Sequence, residues 1–367
     1  MGAASVEAKL NLRAGEWVVV RSRQEILRTL DKDGRLEGLP FMPEMFEACG
    51  QRFRVYKRAH KTCDPPSGLH GRRMPGAVHL EGFRCNGSAH GGCQARCLVF
   101  WKEAWLKRID AGNPADQPSV PPAEEGSGAQ PLCSEADVVA GTRRRDANDT
   151  PDSPTYVCQA TQVYEATLPL SRWDVRQYLE DYTSGNATLR QMLASLLFFV
   201  SEQLASAGVG LGTPVRWVYD AIQKVRGGTP YPVRYGRIRP GMPTPSARLD
   251  LKKGELVRVR SYREILETLD ENLYNRGMSF DAEMVPYCGR TFRVLDRVGQ
   301  IINEKTGKMM RLRKDCIMLE GVVCTASYAK YRKFCPRSIY PYWREIWLER
   351  VGTASASDSR TAEEEAR

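Results

Sequence analysis

Short valine-rich runs with alternating apolar and polar positions occur in two distant parts of the chain, each set off by glycine and polar residues. "EWVVVRS" (16–22) and "ELVRVRS" (255–261) read as strands, as do "RFRVYKR" (52–58) and "TFRVLDR" (291–297). Between them, "QEILRTLD" (24–31) and "REILETLD" (263–270) carry apolar residues at helical spacing over one or two turns. "AVHLEG" and "CIMLEG" predict a further strand, and the tryptophan-containing segments at 101–109 and 343–351 a last one.

These stretches are copies of each other. Residues 10–55 align without a gap on 249–294, with 23 identities in 46 positions. The register continues through "VHLEGFRC" and "IMLEGVVC", passes a three-residue insertion, and resumes at "WKEAWLKRI" and "WREIWLERV". Four or five short strands per copy predict two duplicated SH3-like (KOW-like) small β-barrels, within a mainly β chain carrying an α insert, an α+β class. The modules are expected at 8–109 and 249–352.

The composition changes between the copies. Residues 110–155 are rich in Pro, Ala, Ser, Gly and Asp and predict a disordered linker, as does the tail 353–367. The segment 156–248 reads as a helical insert ending in a proline-rich strap. Ser171 is placed to cap "LSRWDVRQYLEDY", and Pro214 and Gly227 to bound "TPVRWVYDAIQKVRGG". Apolar residues at 189, 192, 193, 196, 197, 200 and 204 form one helical stripe that should be buried.

The phrases "GLPFMPEM", "KRAHKTCD", "AHGGCQARC", "YVCQAT" and "CPRSIYPYWREIWL" resemble an uncharacterised bacterial protein family with two Cys-containing small-barrel repeats around a helical insert. The resemblance spans both copies and the insert. It implies a duplicated, bacterial, cytoplasmic architecture and supplies no activity or catalytic residue.

The apolar run "LASLLFFV" is too short to span a membrane, and no signal-peptide pattern opens the chain, so a soluble cytoplasmic protein is expected. Eleven cysteines in such a compartment favour thiols or metal ligands over a disulfide framework. All four histidines, His60, His70, His79 and His90, fall in the first copy.

"CNGSAHGGCQARC" (85–97) concentrates ligand types on a glycine-permissive loop. Cys85, Cys93 and Cys97, completed by Cys63 or His90, give a first candidate zinc set; Cys288, Cys316, Cys324 and Cys335 give a second. The C-x₇-C-x₃-C spacing matches no standard finger, and an iron–sulfur cluster is the alternative cofactor. Cys49 and Cys288, each before an apolar strand, also suit a core. The repeated carboxylates Glu44/Glu283, Glu81/Glu320 and Asp31/Asp270 read as structural caps and ion-pair partners. The catalytic signatures G-x-S-x-G, H-E-x-x-H and the P-loop are absent.

Net charge is +10. Residues 305–337 hold nine basic side chains against two acidic, with interleaved tyrosines. Arg311, Arg313, Lys314, Lys330, Arg332 and Lys333 are therefore candidate contacts to an anionic macromolecule or protein partner, with Tyr328 and Tyr331 stacking on bases. The alternative is a solvated hairpin. Two functions follow: a metal-stabilised binding or scaffold module, or a metalloenzyme or thiol-redox protein using Cys85, His90, Cys93 and Cys97.

Overall fold

The computed structural model describes residues 10–64, 70–109, 132–144, 153–207 and 212–351. The chain divides into two compact units. The first comprises Met1–Gly212 together with Gln300–Arg311 and Cys324–Ile339; the second comprises Thr213–Gly299, Leu312–Val323 and Tyr340–Arg367.

In the first unit the valine strand Trp17–Val20 lies between Arg52–Arg58 and Leu106–Arg108; Ala77–Leu80 and Trp101–Lys102 extend the antiparallel sheet beyond Arg52–Arg58. α1 (Arg23–Leu27) follows the valine strand, started by a capping box between Ser22 and Glu25, and buries Ile26 and Leu27 on the sheet. Phe41 meets the rings of Trp101 and Trp105 edge-on at 6.2 and 5.1 Å, at the centre of the core.

The second unit has a four-stranded sheet with the corresponding order and register. Trp17 pairs with Arg54 as Leu256 pairs with Arg293, and both central strands carry a bulge, at Val55/Lys57 and Val294/Asp296. Glu103 accepts from the backbone amide of Leu12 and pairs with Arg58; Glu345 accepts from that of Leu251 and pairs with Arg297. Phe280 sits on Trp343 and Trp347.

Neither sheet closes, so the expected barrels are not what forms. The outermost strands, Trp101–Lys102 and Leu106–Arg108 in the first sheet, stay unpaired with each other. Closure requires tilted strands long enough to complete the shear, and two- and three-residue edge strands do not supply them. The architecture is α+β with open antiparallel sheets.

Part of the expected linker is folded. α2 (Glu135–Ala140) is capped by Ser134, whose hydroxyl accepts from the Asp137 amide, and it brings Cys133 and Val138 into the first core. Arg143–Arg144 then pairs with Thr155–Tyr156. The remaining linker calls and the tail lie outside the described residues.

In the insert, α3 (Arg176–Thr183) starts five residues after Ser171, whose hydroxyl instead accepts from the Trp173 amide. α4 (Leu189–Ser206) opens with a Thr188–Gln191 capping box. α5 (Gly212–Arg226) has Pro214 in its first turn and ends at Gly227, φ +64°. The apolar stripe of α4 is a correction. Leu189, Leu193, Leu196, Leu197, Val200 and Leu204 are exposed, and the helix is anchored through Ser195 and Phe198 on its other side. Phe198 meets Tyr328 edge-on at 5.1 Å, and Ser195 donates to the Ser327 carbonyl.

Candidate metal centre

The loop 85–97 is closed at its base by a hydrogen bond from the Cys85 amide to the Cys97 carbonyl (2.9 Å). Inside it, the amides of His90 and Gly92 both donate to the Gly87 carbonyl. Gly87 has φ +76°, and a Cβ there would lie 2.1 Å from the Cys93 carbonyl oxygen, so this tight wrap demands glycine. The wrap folds His90 back over Cys85. The 3-10 turn Pro43–Ala48 brings Glu44 to the same place.

The result is a Glu44–Cys85–His90 group, buried at Glu44 and His90 and half-buried at Cys85, whose ligand atoms all lie within 4.8 Å of one another, the one such group among the described residues. Cys85 Sγ is 3.3 Å from His90 Nε2, and His90 Nδ1 is 4.0 Å from Glu44 Oε1. Glu44 and His90 are 4% and 1% exposed; His90 Nδ1 has no hydrogen-bond partner, and the Cys85 thiol is the side-chain donor that faces the Glu44 carboxyl. Burial pushes the Glu44 carboxyl and the Cys85 thiol up and draws His90 down to about 4. The three groups can hold a metal ion. The sequence reading placed Glu44 among structural carboxylates, so the structure adds it to the donor set.

A cavity of about 40 Å³ opens beside the triad, lined among others by Cys93, Cys97 and Cys158. That is room for an ion or a water and little more. Burial pushes the Cys97 thiol up to about 11 and Cys158 up to about 12. Cys158, in "YVCQAT", was missed by the sequence reading because it lies outside both copies. Cys93 Sγ accepts from the Ile302 amide at 3.3 Å.

Cys63 goes elsewhere. It is buried with Cys335 and Ala326, with Cys324 packed against the same cluster. Its thiol hydrogen-bonds to Cys335, which raises Cys63 and lowers Cys335. The expected second-copy set divides between the units: Cys324 and Cys335 belong to the first, whereas Cys288 and Cys316 belong to the second. Cys288 packs against the second core, as Cys49 does against the first. Burial pushes both Cys288 and Cys316 up to about 12.

The candidate anion contacts divide in the same way. Arg311, Lys330, Arg332 and Lys333 belong to the first unit; Arg313 and Lys314 belong to the second, where Lys314 donates to the Arg276 carbonyl. Lys333 donates to Ser195 Oγ and lies over the Phe198 and Phe199 rings. Tyr328 is half-buried against Phe198, so only Tyr331 of the two tyrosines is exposed. The stretch 305–337 is therefore not a single hairpin.

His79 is fully buried in the strand Ala77–Leu80, with Nδ1 2.9 Å from the Val99 carbonyl, and serves the core. Asp31 and Asp270 cap their turns as expected, each accepting from two backbone amides. No helix among the described residues is long and apolar enough to cross a membrane. Compared with protein-family models and with curated proteins, the chain matches none.

Proposed function

We propose that the first unit is a zinc-stabilised binding or scaffold module in which Glu44, Cys85 and His90 hold the ion. The observation that carries this reading is the convergence of the buried Glu44 carboxyl, the unpartnered His90 Nδ1 and the Cys85 thiol, with ligand atoms all within 4.8 Å of one another. Buried polar groups in native proteins nearly always have a partner, and a divalent cation would supply one to all three residues together. It would also favour the carboxylate, the neutral imidazole and the thiolate, reversing the effect of burial on Glu44 and Cys85.

Mixed oxygen, nitrogen and sulfur donors suit zinc, whereas iron–sulfur clusters are held chiefly by thiolates. Cys97 or Cys158, on the wall of the same cavity, would close the fourth position and make the site structural. A thiol-redox role is less well supported, because reactive cysteines have depressed pKa values and those of Cys85, Cys97 and Cys158 are raised. The binding half of the proposal rests on the net charge of +10, which favours an anionic partner.

Elemental analysis of the purified chain tests the metal. Stoichiometric zinc, lost in Cys85→Ser and His90→Gln, is the expected result; a metal-free chain with eleven titratable thiols would overturn it. Binding to nucleic acid and to a sulfated polysaccharide at low and physiological salt tests the partner, with affinity expected to fall steeply as salt rises.

A further inference from the structure

The exposed leucines of α4 do not lie on a flat surface. Leu189, Leu193 and Leu196 line a cavity of about 350 Å³. Trp173, just before α3, and Tyr178 within it also line it, as do Lys333 and Phe334 of the returning segment 324–339. All of these residues belong to the first unit. Trp173 meets Phe199 edge-on at 6.5 Å, which joins the turn ahead of α3 to α4 at the cavity. Small-molecule sites commonly have about 300–1,000 Å³, walls that are mostly apolar and aromatic, and a few charged groups.

The charged groups here are all of one sign. Arg172, Lys330 and Lys333 line the cavity, and among the described residues no aspartate or glutamate does. Aromatic rings hold these cations in place. The Arg172 guanidinium lies 4.8 Å from the Trp173 ring and 5.0 Å from the Tyr331 ring, and Lys330 Nζ lies 5.6 Å from Tyr331. Lys333 Nζ lies 5.7 Å from the Phe199 ring and donates to Ser195 Oγ at 3.1 Å. The acids in and just before α3 are engaged with other cations: Asp174 with Arg176, Glu180 with Arg58, and Asp181 with Lys61. The field at the cavity is therefore positive, and apolar walls strengthen it.

We propose that this cavity binds a small amphipathic carboxylate, a fatty acid of medium chain length. Its chain lies along Leu189, Leu193 and Leu196, and its head group meets Lys330, Lys333 and Arg172. Leu189 and Leu196 are seven residues apart, about 10 Å along the helix axis, so the apolar track suits a medium chain. The hydrocarbon takes out of water leucines that the protein itself leaves exposed. The carboxylate receives charge-assisted hydrogen bonds from the ammonium and guanidinium groups. The site shares no residue with the Glu44–Cys85–His90 centre.

The test is calorimetric titration of the full chain with decanoate and with decyltrimethylammonium, which has the same chain and the opposite charge. Decanoate should bind saturably, one per chain, and the cation at least about tenfold more weakly. Leu193→Ser/Leu196→Ser and Lys330→Met/Lys333→Met should each weaken decanoate by about tenfold or more. The two leucines are exposed, so the first pair should keep the wild-type urea midpoint. Equal affinity for both head groups, or decanoate affinity unchanged in either pair, would overturn the proposal. So would a chain that binds phosphatidylglycerol vesicles or dimerises through this face yet takes up no decanoate. Should the lysine pair fail to fold, the wild-type comparison of the two head groups decides.

Discussion

Lys61 Nζ and Asp181 Oδ2 meet at 2.6 Å with side chains only 3% and 0% exposed, joining the strand Lys61–Asp64 to α3. His60 Nε2 lies 3.3 Å from the other oxygen of the same carboxylate. Burial lowers the Lys61 ammonium and Asp181 opposes it, so the lysine depends on its partner. Asp181→Ala should destabilise the first unit by about 3–5 kcal/mol, because it strands a buried cation. The double variant Lys61→Met/Asp181→Leu should recover much of that loss. Urea unfolding of the three variants checks both statements, and a double variant as unstable as the single one would contradict them.

Gly87→Ala should lower zinc content although it removes no ligand. The added Cβ would collide with the Cys93 carbonyl and displace the loop that folds His90 over Cys85. Gly82→Ala, at φ +74° with open space around it, carries only the left-handed penalty of about 1–2 kcal/mol. Elemental analysis should separate the two, with full metal retained in the second.

On α4, Leu193→Ser and Leu196→Ser should change stability by no more than about 0.5 kcal/mol each, as exposed positions do. Phe198→Ala, at 1% exposure against Tyr328, should cost about 3–5 kcal/mol. Thermal unfolding of the three variants measures the contrast. A large loss at Leu193 would mean that the stripe is buried after all.

His79 makes the fold acid-sensitive. Burial draws it down to about 3 against an ordinary 6.5, the Val99 carbonyl partly opposing and Arg84, Lys57 and Arg337 reinforcing. Above pH 6.5 it is neutral in both folded and unfolded chains and contributes nothing to pH dependence. Between pH 6.5 and about 3 the unfolded chain takes up the proton and the folded one does not, so stability falls with pH by up to about 1.4 kcal/mol per unit. His79→Met, the residue the second copy has at Met318, should remove this component. Its advantage over wild type in urea unfolding should widen from pH 7 to pH 4.

The strands and the bounds of α5 were legible in the sequence because period-two alternation, a proline in the first turn and a terminal glycine are local signals, whereas Ser171, read as a cap, accepts instead from the Trp173 amide. Barrel closure was not, since it depends on edge strands of two or three residues whose pairing no local pattern records. The stripe of α4 was read correctly as apolar. Periodicity does not say which side of a helix is covered, and Ser195 and Phe198 hold the opposite one. Cys63 was grouped with Cys85 by proximity in sequence, yet the segment 324–339 is part of the first unit and takes Cys63 to Cys335. Glu44 looked structural because Glu283 repeats it. What distinguishes it is His90, in the stretch where the two copies differ in length. Lys61 and Asp181, 120 positions apart, leave no sequence signal at all.

The first unit draws on residues 300–311 and 324–339, and this gives it a schedule as well as a shape. Cys93 and Tyr156 are covered by Ile302, with Ile301 and Met309 alongside. A ribosome adding about 5–20 residues per second needs roughly 6–25 s to travel from Gly212 to Ile339. During that interval the nascent first unit lacks its last pieces, with the apolar faces of Cys93 and Tyr156 bare and Cys63 still waiting for Cys335. Residues 300–311 and 324–339 are made well after Gly212, so they set when this earlier unit is finished.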